Sequence, residues 1–197
     1  MALKAHRLLQ GPARVYVGAF GVAEPALTMP LAAPGVGWTE VGLTLGGTTL
    51  NIAQDYSALE ADQIVDRAGS VLVSREISVE TSMAQLDSDN LVIALNGGTV
   101  TPGAVGSADL WEPIYDEDAF QVDYRAVLLS GWAPRGDDGL RKKRYIIIRK
   151  VVSSEGVEIS FSKEDQSTLG VTFLGHYVDE DTAPVRIITE RDTDGDA

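Results

Sequence analysis

The chain has 197 residues, 29 acidic against 16 basic, and a formal net charge of −13. That balance excludes a surface that grips DNA through its phosphates, which needs a basic footprint, though not a protein past which DNA travels. Cysteine is absent, so disulfides and thiolate metal sites are excluded, and the 44% hydrophobic content predicts one globular domain over residues 1–197 that buries about 70% of its unfolded surface.

No window holds the roughly 18 consecutive apolar residues of a membrane helix. The opening Met1-Ala2-Leu3-Lys4-Ala5-His6-Arg7 lacks the apolar run of a secretory signal. No membrane is therefore expected among the partners.

Residues 1–37 are low in charge and dense in Gly, Pro and Ala, with a short strand expected at Ala13–Val17. Prolines at this density block helix and central strand. An extended arm is expected, crossing either its own surface or a neighbour's. Trp38–Gly42 opens the ordered part, and Thr48–Tyr56 predicts a second strand.

Residues 55–70 carry Asp55, Glu60, Asp62 and Asp66 against Arg67 alone, with Leu59, Ile64 and Val65 set among them. Two readings stay open: a projecting hairpin that docks on a partner, or a long connection folded over its own domain. Val71–Ala84 then alternates for 14 residues. Val71, Val73, Arg75, Ile77, Val79, Thr81 and Met83 fall on one side; Leu72, Ser74, Glu76, Ser78, Glu80, Ser82 and Ala84 fall on the other. Period-2 patterning predicts a half-buried strand, longer than the usual five or six residues or so.

A helix is expected from Asp87-Ser88 to Asn96-Gly97-Gly98. Asp87 or Ser88 can cap its first turn, Leu91 and Leu95 stack at i,i+4, and Gly97 can take the left-handed stop. Residues 97–118 read as loop anchored by Trp111, Pro113 and Tyr115. Alternation resumes over Phe120–Trp132, and the turn Pro134–Gly139 follows. Further strands are expected at Arg144–Val152, over Val157, Ile159 and Phe161, over Val171–Tyr177, and at Val185–Thr189 before an acidic tail, 190–197. Seven or more strands at hairpin spacing with one helix predict a mainly β fold, an antiparallel β-sandwich or barrel with one flanking α-helix.

Catalytic candidates are poor. His6 and His176 lie far apart in sequence, and His176 sits in a strand pattern where a half-buried imidazole is the ordinary reading. Ser160-Phe161-Ser162-Lys163 and Ser88-Asp89-Asn90 imitate parts of a β-lactamase signature in the wrong order. Gly42–Thr48 has phosphate-loop glycines without the lysine. Asp192, Asp194 and Asp196 open like a calcium loop with no closing Glu, and Arg135-Gly136-Asp137 is a common turn tripeptide. No enzyme activity, cofactor or metal is expected. The basic cluster Arg141, Lys142, Lys143, Arg144, Arg149 and Lys150 is read either as simply solvated or as facing an acidic strip on another copy, at 109–123 or in the C-terminal tail.

A Gly/Pro-rich start with Val15-Tyr16-Val17 is followed by Trp38-Thr39-Glu40-Val41-Gly42-Leu43-Thr44-Leu45-Gly46-Gly47. Next come the Glu60-Ala61-Asp62-Gln63 loop and the long strand with Ser74–Glu80, before an Asn90-Leu91 helix. In that order, over about residues 13–178, the chain resembles the major tail tube proteins of long-tailed bacteriophages, especially the non-contractile, siphovirus type. The resemblance implies a virion protein made in the host bacterial cytoplasm. It implies hexameric rings stacked into a tube, inner strands joined into a β-lined channel for DNA ejection, and tape measure, tail terminator and tail-tip proteins as partners.

Within that expectation Glu76, Ser78, Glu80 and Ser82 face the lumen while Ile77 and Val79 face the core. Leu59, Glu60, Asp62, Ile64, Val65 and Asp66 link rings, and Arg141, Lys142, Lys143 and Arg144 sit at a subunit interface. Two other classes stay open. A capsid decoration or other structural virion protein shares the acidic, cysteine-free profile. A carbohydrate-binding sandwich would need an aromatic platform, for which Trp38, Trp111 and Trp132 are few and scattered.

Overall fold

The β-rich, one-helix architecture follows from which strands have to be covered on both faces. The computed structural model describes residues 11–60, 62, 65–105, 107–115, 117–154, 157, 159 and 166–191. Its centre is a pair of antiparallel strands numbered, in chain order, β7 (Arg125–Ala133) and β8 (Lys142–Ser153). Around them lie β1 (Arg14–Ala19), β2 (Trp38–Glu40), β3 (Thr44–Leu59), β4 (Gly69–Met83), β9 (Leu169–Gly175) and β10 (Val185–Thr189). The sheet runs β2-β1-β7-β8-β9-β4-β3, every pairing antiparallel.

One edge of β8 serves two partners. β10 pairs with it over Arg144–Ile148, and β9 over Val151–Ser153. The β9-β4-β3 half can therefore fold across the β1-β7-β8 half. Val15, Val17, Val127, Leu129 and Ile148 meet Ile77, Val79, Met83, Val171 and Phe173 in the main core. This is the expected antiparallel sandwich with one flanking helix.

β7 departs from simple alternation. Ala126, Val127, Leu128 and Leu129 are all buried, because the face away from the main core is covered too. The cover is the N-terminal arm, which lies on its own sheet. Leu31 joins Leu128, Tyr145 and Ile147 in a second core, and the Tyr145 hydroxyl donates to Ala32 O at 2.8 Å. β7 also starts at Arg125 and not at Phe120; Glu117–Phe120 forms a 3-10 turn that leaves Phe120 exposed.

The helix α1 (Ser88–Ala94) is capped by Asp87, whose side chain accepts from Asn90 N at 2.8 Å. Its buried face is Asn90, Ile93 and Ala94, while Leu95 stays exposed. The left-handed stop falls on Asn96 (φ 54) and not on Gly97 (φ 152). Asn96 N donates to Ile93 O and Gly97 N to Val92 O, the paired bonds of a Schellman end.

Residues 97–118 are not all loop. β5 (Thr99–Thr101) pairs with β6 (Leu110–Glu112), three residues each and too short to show a period. Trp111 packs on Gly98, where an added Cβ would come within 2.4 Å of its indole nitrogen. Val157 and Ile159 are outside any strand, and Phe161 lies outside the described residues. So do His6, Ser160–Lys163 and Asp192–Ala197.

Candidate assembly surfaces

β3 and β4 are longer than the sheet they belong to. β9 pairs with β4 only from Ser78 to Met83, whereas β3 follows β4 from Thr44↔Met83 out to Leu59↔Gly69. Beyond Ser78 the pair continues as a two-stranded ribbon, so the connection proper spans only residues 60–68 and not 55–70. Asn51 to Leu59 covers about 27 Å at the usual rise per residue.

Two irregularities set the ribbon's faces. Gly46 and Gly47 (φ 78 and 92) are inserted between the pairs Leu45↔Ser82 and Thr48↔Thr81. A β-bulge of this kind needs the left-handed freedom of glycine, which accounts for Gly46 and Gly47, two of the three glycines that imitate a phosphate loop. The second shift falls between Asp55↔Ser74 and Tyr56↔Leu72. It moves Leu72, and not Val71, onto the side of Ile77.

Cross-strand partners share a side, so the register assigns each residue. The core side continues outward as Ile52/Ile77, Gln54/Arg75 and Tyr56/Leu72. Ile52 is 41% exposed, Tyr56 51% and Leu72 38%: an apolar strip that leaves the core and runs into solvent. Within it the Tyr56 hydroxyl lies 2.8 Å from the Gln54 side chain. With its amide nitrogen turned to Tyr56, Gln54 also accepts from Arg75 at 3.2 Å.

The opposite side pairs Asn51/Ser78, Ala53/Glu76 and Asp55/Ser74, with Thr49, Glu80 and Thr172 in one row across three strands. Glu76, Glu80 and Asp55 are exposed there, Ser82 is half-buried and Ser78 is buried. The side carries three carboxylates, and none of its described β3, β4 and β9 residues is Lys or Arg. The long outer edge of β3 pairs with no strand among the described residues. At the tip Leu59, Glu60, Asp62, Val65 and Asp66 are exposed, while Ile64 lies outside the described residues.

The structure does not gather the basic cluster into one patch, because neighbours on a strand point to opposite sides. Lys142 is buried and binds Asp138 with its ammonium at 2.6 Å. That carboxyl is held below its ordinary range by the Lys142 hydrogen bond, with help from the Leu140 N–H. Arg144 donates from Nε to Thr189 Oγ1 at 3.0 Å. Lys143 pairs with Trp132, and the Arg141 guanidinium lies 5.6 Å from the Trp132 ring centre. Lys143 and Trp132 thus border a groove of about 480 Å³ whose other walls include Pro12, Arg14, Tyr16 and Pro34. Sequence reading missed Arg14, Trp132 and the Tyr56/Leu72 strip; a strand alternation starting from Trp132 was the signal that could have separated Lys143 from its neighbours.

Two carboxylates fasten the arm. Glu24 binds Arg149, and Arg186 at 2.6 Å. Burial pushes the Glu24 carboxyl upward, but the hydrogen bonds from Arg149 and Arg186 outweigh it and hold the group below the ordinary range. Glu190 accepts from the backbone N–H of Leu31 and of Lys143, each at 2.6 Å. His176 is half-buried and stands edge-on to Tyr124 at 5.5 Å. Among the described residues no three His, Asp or Glu side chains are grouped to hold a metal, and no helix is long and apolar enough to cross a membrane.

The model of a family described as phage tail tube protein matches residues 1–194 of the chain. No curated protein sequence matches it.

Proposed function

The chain belongs to the phage tail tube protein family, and on that premise we propose that it assembles as hexameric rings stacked into the tube of a siphovirus-type tail, through which DNA passes during ejection. Membership makes it a structural component of the virion tail. The reading that goes further rests on one observation: the outer side of β3-β4-β9 carries the carboxylates Asp55, Glu76 and Glu80 and the hydroxyls Thr49, Ser74, Ser82 and Thr172 among a few apolar residues, with no Lys or Arg among its described residues.

In a ring, that side forms the wall of the lumen. Each phosphate neutralised by a lysine or arginine releases counterions and adds to affinity, so a basic channel would hold DNA in place. Glu76 and Glu80, with half-buried Ser82, leave the phosphates nothing to bind. Ser78 is buried in the single chain and serves as backing to that wall. The edge of β3 that pairs with no strand among the described residues is a pairing template, and a closed ring removes such edges. The tip residues Leu59, Glu60, Asp62, Val65 and Asp66 are the contacts between rings. Tape measure protein, tail terminator and tail-tip proteins are the other partners of such a tube, and its subunits are made in the host bacterial cytoplasm.

The test is the double charge reversal Glu76→Lys/Glu80→Lys in tails that still assemble. Tubes should form and DNA ejection should slow. Ejection at the unaltered rate would remove the lumen assignment.

A further inference from the structure

We propose that the acidic tip of the β3–β4 ribbon seats in the groove beside Trp132 on a second copy of this chain. The inference rests on the tube reading and names the surface that receives the ribbon.

The two surfaces match in charge and in apolar content. From Asp55 to Arg67 the ribbon carries Asp55, Glu60, Asp62 and Asp66 against a single base. The groove presents Arg14 and Lys143, and the Arg141 guanidinium lies beside it, 5.6 Å from the Trp132 ring centre. Arg14 is still 71% exposed beside Glu40, 3.7 Å away, and so keeps most of its charge available. Val65 at the tip is fully exposed and Leu59 is 51% exposed. Trp132, 40% exposed, lies in the groove with Pro12 and Pro34, rigid apolar surface of the kind that anchors interfaces.

Exposure selects another copy as the occupant, since Val65 and Leu59 at the tip and Arg14 and Trp132 at the groove all stay exposed in the single chain. The ribbon reaches about 27 Å past the last residue that its own sheet supports, and its strands pair with none of β1, β7 and β8, on which the groove is built. Two different surfaces of one subunit meeting in this way make a heterologous contact, which builds a ring or an open stack according to the rotation between copies. Rim charges of this kind set register and partner choice.

The absence of native cysteine makes the test clean. One population carries Val65→Cys and the other Pro34→Cys; the two are mixed, allowed to assemble, and treated with a short bis-maleimide. A covalent dimer should form in the mixed tubes and in neither population alone. Tubes that assemble without the cross-link overturn the docking and leave the tube reading intact; unaltered protein that never forms tubes overturns the tube reading itself.

Charge exchange provides the second arm. Asp62→Lys/Asp66→Lys should raise the concentration needed for tubes about tenfold, with thermal unfolding unchanged. Arg14→Glu/Arg141→Glu should do the same, and a chain carrying all four changes should recover. Assembly indifferent to both pairs, or no recovery in the combined chain, contradicts the proposal.

Discussion

Leu31 and Glu190 stand 159 residues apart in sequence and 2.6 Å apart in the fold, the Leu31 N–H donating to Glu190 Oε1. The second oxygen takes the N–H of Lys143. One carboxylate therefore ties the N-terminal arm, the start of β8 and the residue after β10 together, over the second core where Leu31 is buried against Leu128, Tyr145 and Ile147.

Glu190→Ala should lower stability by about 2 kcal/mol, the usual scale for hydrogen bonds to a charged group. The arm should become the first site of cleavage, which limited proteolysis with mapping over residues 23–37 would read. An arm that stays protected would mean that Leu31 and Tyr145 hold it without the carboxylate.

Glu24 adds a pH dependence whose sign follows from its environment. Arg149 and Arg186 hold its carboxyl below the ordinary range despite burial, so the folded state favours the ionised form. The contribution is fully present above the unfolded value and is lost as pH falls through the folded one. Urea unfolding should therefore show the wild type losing about 1 kcal/mol more than Glu24→Gln between pH 6 and pH 3, a modest figure because the group is only partly buried. Equal losses would contradict the assignment.

Asn96 holds the left-handed position at the end of α1 with φ 54, and its buried Oδ1 has no hydrogen-bond partner among the described residues. Glycine is the residue best suited to that position. Asn96→Gly should raise stability by about 0.5–1 kcal/mol in urea unfolding; a loss would mean that the amide is satisfied after all.

The apolar strip separates folding from assembly. Tyr56→Ser/Leu72→Ser, on the ribbon, should change unfolding free energy by no more than about 0.5 kcal/mol yet weaken tube formation in sedimentation. Phe173→Ala, at the centre of the main core, should cost about 3–5 kcal/mol. Comparable destabilisation by the two would show the strip to be part of the single-chain core.

The elements legible in sequence were those governed by one exposed and one buried face. The inner end of β4 behaves this way, with Ile77, Val79 and Met83 buried and Glu76 and Glu80 exposed. β10 falls where Val185–Thr189 marked it. Farther out on β4 the alternation misassigned Val71 and Leu72, because the shift at Asp55/Tyr56 reverses sides without leaving a glycine to mark it. β7 read as two-faced because nothing in its own sequence announces that Leu31 arrives to cover Leu128. Long-range carboxylate contacts such as Glu24 with Arg186 leave no local pattern. Charge counting found the basic cluster, but strand geometry divides it, sending Lys142 to Asp138 and Lys143 toward the Trp132 groove.

Electron microscopy of the purified protein at high concentration tests the central claim most directly. Tubes should appear whose end views show six subunits around an open hole, with β3 and β4 presenting Glu76 and Glu80 to that hole. A particle that remains a single chain, or a tube whose inner wall is built from another face, would contradict the account.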